Sequence, residues 1–112
     1  MKRLDCIIRI NKLEEVKAAL EEAGIFGMST ETVRGHGRQL GRTELYRGST
    51  YSVNLLPKAR IEIVLKDDQV ERAVEIICDA ARTGEIGDGK IFISNVIDAV
   101  RIRTGERGDA AL

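Results

Sequence analysis

The chain has no tryptophan, one proline, one histidine and two cysteines. Its aromatic side chains are Phe26, Tyr46, Tyr51 and Phe92. They are too few and too scattered to form a base-stacking platform, which argues against a sheet-based reader of single-stranded nucleic acid. Charge of one sign is missing as well: 18 basic and 18 acidic residues cancel, leaving no overall pull toward nucleic acid or an anionic membrane. No apolar run approaches the roughly 20 residues of a membrane span, and no signal-peptide core follows Met1-Lys2-Arg3-Leu4-Asp5. Cys6 and Cys78 sit in apolar-periodic segments without a Cys-x-x-Cys spacing or a histidine cluster. They read as buried free thiols in a reducing, cytoplasmic compartment rather than as a redox or metal pair. No nucleophile–base pair stands out, the lone His36 lies at a loop base, and no second carboxylate cluster marks a metal-assisted hydrolase. A non-enzyme is therefore expected, with slow hydrolysis of a bound nucleotide left open.

What is present is a plan used twice. Leu4, Cys6, Ile8 and Ile10 alternate along a half-buried strand. Asn11, with Glu14 three positions on, can cap a helix carrying Leu13, Val16, Leu20 and Ala23, and Gly24 is a natural stop. Ile61, Ile63 and Leu65 then alternate along another strand. Asp67-Asp68 opens a second helix with Val70, Val74, Ile77 and Ala81, closed by Gly84. Further strands are expected at 28–34 and 91–97, the latter extending through 100–103. The order strand–helix–strand–strand–helix–strand gives an α+β, ferredoxin-like βαββαβ sandwich over one domain, 1–112, with both helices on one face of the sheet. The other face keeps apolar residues such as Ile7 and Val64, which a partner subunit could cover. A small core would gain from such association.

One stretch fits neither half. Residues 36–56 carry Gly37, Gly41 and Gly48 with Arg38, Arg42 and Arg47, without sustained periodicity. So long a loop in so small a domain is either functional or a hairpin extension of the neighbouring strands with a disordered tip, and both readings can hold.

Two signatures stand on this frame. The segment Thr83-Gly84-Glu85-Ile86-Gly87-Asp88-Gly89-Lys90-Ile91-Phe92 reads as an anion site, because glycines let backbone N–H groups approach a phosphate and Lys90 adds a point charge. Arg101 and Arg103, at alternate positions of the expected strand extension, would present two guanidinium forks to one ligand, or simply be solvated charges on a terminal strand. The other signature is Tyr46-Arg47-Gly48-Ser49-Thr50-Tyr51, inside the long loop.

Together with Gly35-His36-Gly37-Arg38-Gln39, the Thr43-Glu44 step and Arg101-Ile102-Arg103-Thr104-Gly105, these signatures resemble the PII family of nitrogen-regulatory signal proteins, over essentially the whole chain and without gaps. The resemblance implies a homotrimer that senses ATP or ADP in clefts between subunits, with Mg²⁺ and 2-oxoglutarate as further effectors. Residues 87–90 (Gly87, Asp88, Gly89, Lys90) match its phosphate-cradling loop, and Arg101 and Arg103 its phosphate-contacting arginines. Met28 and Ser29 match a Met-Thr pair near adenine, and Arg38 an arginine that reaches the terminal phosphate. Ile7, Gly27, Gly35, Gly37, Glu62 and Val64 complete the implied nucleotide site. Glu62 can equally be a polar residue on an exposed sheet face. Gln39 matches a magnesium ligand that also serves 2-oxoglutarate, together with Gly87 and Lys58; Lys58 pairs with the distal carboxylate in the family, or is a solvated lysine at a strand start. That donor set is chemically coherent, since Mg²⁺ favours hard oxygen ligands and keeps few from the protein.

Tyr51 matches a residue uridylylated in some members and Ser49 one phosphorylated in others; Arg47 matches a loop-tip arginine that docks on ammonium transporters. The implied targets are such a transporter, nitrogen-assimilation enzymes, or uridylyl- and adenylyltransferases, with possible recruitment to the membrane by the transporter. The sequence departs from the family pattern at Arg9-Ile10-Asn11-Lys12, at His36 and at Thr50. The competing readings are a slow Mg-dependent ATPase or phosphatase and a divergent PII-like sensor of another metabolite.

Overall fold

The computed structural model describes residues 1–36, 42–46, 49–53 and 55–112, the two short middle segments by their backbone alone. Strand β1 (Lys2–Arg9) leads through a 3₁₀ turn (Ile10–Lys12) into helix α1 (Leu13–Glu22). Strand β2 (Met28–Gly35) follows, then β3 (Arg42–Tyr46), β4 (Ser49–Val53) and β5 (Leu56–Leu65). A second 3₁₀ turn (Asp67–Gln69) opens helix α2 (Val70–Ala81), and β6 (Gly89–Asn95) completes the sheet. The main sheet has the order β2-β5-β1-β6, and every pairing in it is antiparallel. With two helices packed side by side this is the ferredoxin-like arrangement.

Alternation places the core. Leu4, Cys6 and Ile8 of β1 and Ala59, Ile61, Ile63 and Leu65 of β5 point to the helix side and are buried. They meet Val16 and Leu20 of α1 and Val70, Ala73, Ile77 and Ala81 of α2, with Ile25 closing one end. Helical spacing of these apolar positions is what lets each helix lay one stripe on the sheet.

Several expectations are corrected. Asn11 does not cap α1: Ile10–Lys12 form the 3₁₀ turn, α1 begins at Leu13, and its N-cap position makes no side-chain hydrogen bond. Ile10 thereby leaves the core face and is 45% exposed. Helix α2 stops at Ala81, with Arg82 extended, so Gly84 (φ 90°) belongs to the loop beyond it. Strand β6 starts two residues earlier than expected, at Gly89, and ends at Asn95. The extension over 100–103 is not a strand. Val100 makes only an isolated bridge to Arg107, and residues 102–104 form a turn. The chain bends there because Asp98 accepts from Arg107 and from the Gly108 amide, while Gly105 and Gly108 take positive φ.

Within 36–56, β3 and β4 pair with each other as a separate two-stranded ladder, in register Arg42↔Val53 to Tyr46↔Ser49. This is a hairpin, as one of the two readings of that stretch allowed, but a ladder of its own rather than a continuation of β2 and β5. Gly37, Arg38, Gln39, Gly41, Arg47 and Gly48 lie outside the described residues.

Candidate functional site

The loop between α2 and β6 is held by a single carboxylate. Asp88 accepts from the Thr83 amide at 2.8 Å and the Gly84 amide at 2.9 Å. It also accepts from the Thr83 hydroxyl and from Arg9 Nε at 3.2 Å. These donors, the Thr83 hydroxyl first, hold its pKa well below the ordinary carboxylate value against the opposing effect of desolvation. Asp88 belongs to the expected phosphate loop, and its side-chain oxygens organise that loop's own backbone. Arg9, which the sequence reading passed over, is the partner on the sheet side, and its Nη2 also donates to the Ile86 carbonyl at 2.9 Å. The signals for Arg9 were its place at the end of a strand whose face alternation points it away from the core, and its position at the head of the stretch Arg9-Ile10-Asn11-Lys12.

This clamp decides which loop donors remain. The amides of Thr83 and Gly84 are used by Asp88, and that of Glu85 by the Thr83 hydroxyl at 3.2 Å. The turn over 86–87 engages the Asp88 amide; among the described residues the amides of Ile86 and Gly87 have no internal acceptor. They are consecutive, and Gly87 takes φ 107°. Successive amides around a left-handed residue form the concavity that seats an anion. Lys90 follows, exposed and without an ion pair among the described residues.

Gly89 fixes this loop to the sheet. A Cβ there would stand 1.7 Å from the Ile7 carbonyl oxygen, so only glycine lets β6 run this close to β1. Lys58, two positions into β5, reaches the loop from the other side and donates to the Gly87 carbonyl at 3.0 Å. Its pKa is lowered, first by burial and then by Arg9, with Asp88 partly offsetting. Gly35 lies beside it: a Cβ at Gly35 would contact Lys58 Cγ at 3.3 Å. The structure thus brings together Gly35, Lys58, Gly87, Gly89 and Lys90, with Ile7 in register with Lys90.

Other expected residues lie elsewhere on the chain. Ser29 is opposite Glu62, and Val64 opposite Arg3, toward the far end of the sheet. Val64 lies six positions beyond Lys58 along β5, about 20 Å of strand. Glu62 is bonded to Arg60 Nη2 at 3.2 Å. Met28 turns inward and packs on the core, and Gly27 is in the exposed turn before it. Arg101 and Arg103 do not stand side by side on a strand. Arg101 pairs with Glu106 at 2.9 Å, Arg103 is exposed in the turn, and among the described residues no hydrogen bond or ion pair joins either to the glycine loop. Ser49 and Tyr51 fall on β4 by backbone alone. Among the described residues no group of three or more His, Cys, Asp and Glu could hold a metal, and no helix is long and apolar enough to cross a membrane.

The family model described as "Nitrogen regulatory protein P-II" matches residues 1–106. A protein of that name from Cereibacter sphaeroides is 59% identical over 112 residues, covering 100% of both chains. "Nitrogen regulatory protein P-II 2" of Methanothermobacter thermautotrophicus is 60% identical over 100% of this chain and 97% of its own. The protein of Microchaete diplosiphon, "Nitrogen regulatory protein P-II", is 59% identical over 100% of both. With a match over nearly its full length and relatives of this similarity, the chain belongs to the nitrogen regulatory protein P-II family.

Proposed function

We propose that this protein is a signal transducer of nitrogen metabolism, which reads ATP against ADP, together with 2-oxoglutarate, and reports their state through the segment 36–56. The observation that carries this reading is the bond from Lys58 to the Gly87 carbonyl at 3.0 Å. Lys58 stands at the foot of β5, where the long segment rejoins the sheet, and Gly87 carries one of the loop's two free amides. A change of occupant at the glycine loop therefore alters a contact at the base of the segment. Each ligand biases that segment only by its differential affinity for the two arrangements, typically about 1–3 kcal/mol.

In this reading the loop 87–90, with the amides of Ile86 and Gly87 and the Lys90 charge, takes the phosphates, and Arg38 reaches the terminal one. Ile7, Gly27, Met28, Ser29, Gly35, Gly37, Glu62 and Val64 line the remainder. The distance between the Lys58 end and the Ser29–Val64 end is more than one nucleotide site needs on a single chain. It favours clefts between copies, to which the two ends belong on different subunits of a homotrimer, with Arg101 and Arg103 closing the seat. Magnesium would be held by Gln39 with ligand phosphates and the 2-oxo acid, and would supply charge neutralisation between them. The distal carboxylate of 2-oxoglutarate would draw Lys58 away from the Gly87 carbonyl. Targets are an ammonium transporter or nitrogen-assimilation enzymes met through the loop tip at Arg47, with Ser49 and Tyr51 as modification sites. The protein acts in the cytoplasm, at the membrane only through its target.

Isothermal titration tests the scheme. We expect 2-oxoglutarate to bind in the presence of Mg-ATP and not without it, and Lys58→Ala to lose at least tenfold in that affinity, about 1.4 kcal/mol or more. Equal binding without nucleotide would contradict the reading.

A further inference from the structure

The segment beyond β6 turns back on itself. Arg107 Nε donates to Asp98 at 2.9 Å, and the Gly108 amide to Asp98 Oδ1 at 3.1 Å and to the Ala99 carbonyl at 3.0 Å. The Arg101 amide donates to the Glu106 carbonyl at 2.9 Å, and the Gly105 amide to the Arg101 carbonyl at 2.7 Å. Inside this turn the Arg101 guanidinium is engaged twice. Nη1 donates to Glu106 Oε1 at 2.9 Å and Nη2 to the main-chain oxygen of Leu112 at 3.2 Å.

Those two acceptors use the donors that a phosphate would claim, since one fork of a guanidinium matches two phosphate oxygens. The contact is open to water: the Arg101 and Glu106 side chains are 36% and 44% exposed. Pairs of that kind contribute little and are readily exchanged. An oligophosphate carries more charge than one carboxylate and can take both donors at once.

We propose that Glu106 is an internal counter-anion which competes with an oligophosphate for Arg101, and that residues 108–112 are released when the ligand wins. The inference rests on the reading of Arg101 as a phosphate contact. The exchange breaks no covalent bond: ligand oxygens replace Glu106 Oε1 and the Leu112 oxygen on the same two nitrogens. By linkage, whatever holds the last residues in place weakens the ligand, and the ligand loosens them by the same factor.

The test compares the full-length chain with Glu106→Gln. Titration calorimetry with ATP should give an affinity roughly two- to fivefold tighter for the variant, as the loss of an exposed competing charge allows. Carboxypeptidase should trim residues 108–112 of the unaltered protein faster with saturating ATP than without it. Weaker binding by Glu106→Gln would overturn the proposal, because Glu106 would then be orienting Arg101 for the ligand. Unchanged binding, or protection of the last residues by ATP, would overturn it equally. If the unaltered protein binds no ATP, the functional reading fails along with this one. Binding that is intact and indifferent to position 106 sinks this proposal alone.

Discussion

An added Cβ at Gly89 would meet the Ile7 carbonyl oxygen at 1.7 Å and its carbon at 2.7 Å, in a backbone at φ +104°. Neither neighbour is a movable side chain. Gly89→Ala should therefore cost more than about 3 kcal/mol in denaturant unfolding, whereas Gly24→Ala, with nothing within 4 Å, should cost only the left-handed strain of about 1–2 kcal/mol. Asp88 makes a second residue-scale prediction. Its folded pKa is depressed below the ordinary 3.8 by the bonds it accepts, so its contribution is complete above about pH 4 and is lost as pH falls through the folded value. Asp88→Asn should flatten the fall of stability with acid in that window, measured by denaturant melts at stepped pH. The sequence drew attention to the glycines and Lys90 of this loop because glycines and a lysine so spaced can admit an anion. It could not disclose that Asp88 faces inward, or that Arg9 answers it, since that pairing spans 79 positions and depends on how β1 and β6 align.

The two apolar stripes were legible at the scale of elements, and the structure buries Val16, Leu20, Val70, Ile77 and Ala81 as the spacing requires. Leu20→Ala should lose about 2–5 kcal/mol for that reason, read from the shift of a urea midpoint. Cys6, on the core face of β1, is fully buried with its thiol pushed up to about 12, chiefly by burial. An alkylating reagent at neutral pH should label half-buried Cys78 first and reach Cys6 only at the rate of unfolding. Boundaries were less legible. Asn11 offered a cap that the chain bypasses with a 3₁₀ turn, and alternation through Val100 and Ile102 imitated a strand. Ile97 and Ile102, 100% and 99% exposed, belong instead to a segment governed by the Asp98 and Glu106 contacts. Local side-chain bonds of that sort leave no periodic trace.

On the scale of the whole molecule, the sheet has one face under the helices and one that no element among the described residues covers. That second face is not simply apolar: Arg60 reaches Asp5 and Glu31 at 2.6 Å each and Glu62 at 3.2 Å, beside Ile7 and Val64. If copies assemble as proposed, sedimentation should give a species of three times 12.4 kDa. The topology was readable because two half-repeats admit few arrangements. The assembly was not, since a single chain's periodicity records that a face is half-buried and never by what. The glycine loop, for its part, tethers β6, which among the described strands has β1 as its only neighbour in the sheet. A ligand bound there as proposed would also brace the margin of the fold. Occupancy should then register as resistance to heat, climbing with the logarithm of free ligand once the site is filled. A melting curve would serve as a thermometer of the metabolite itself.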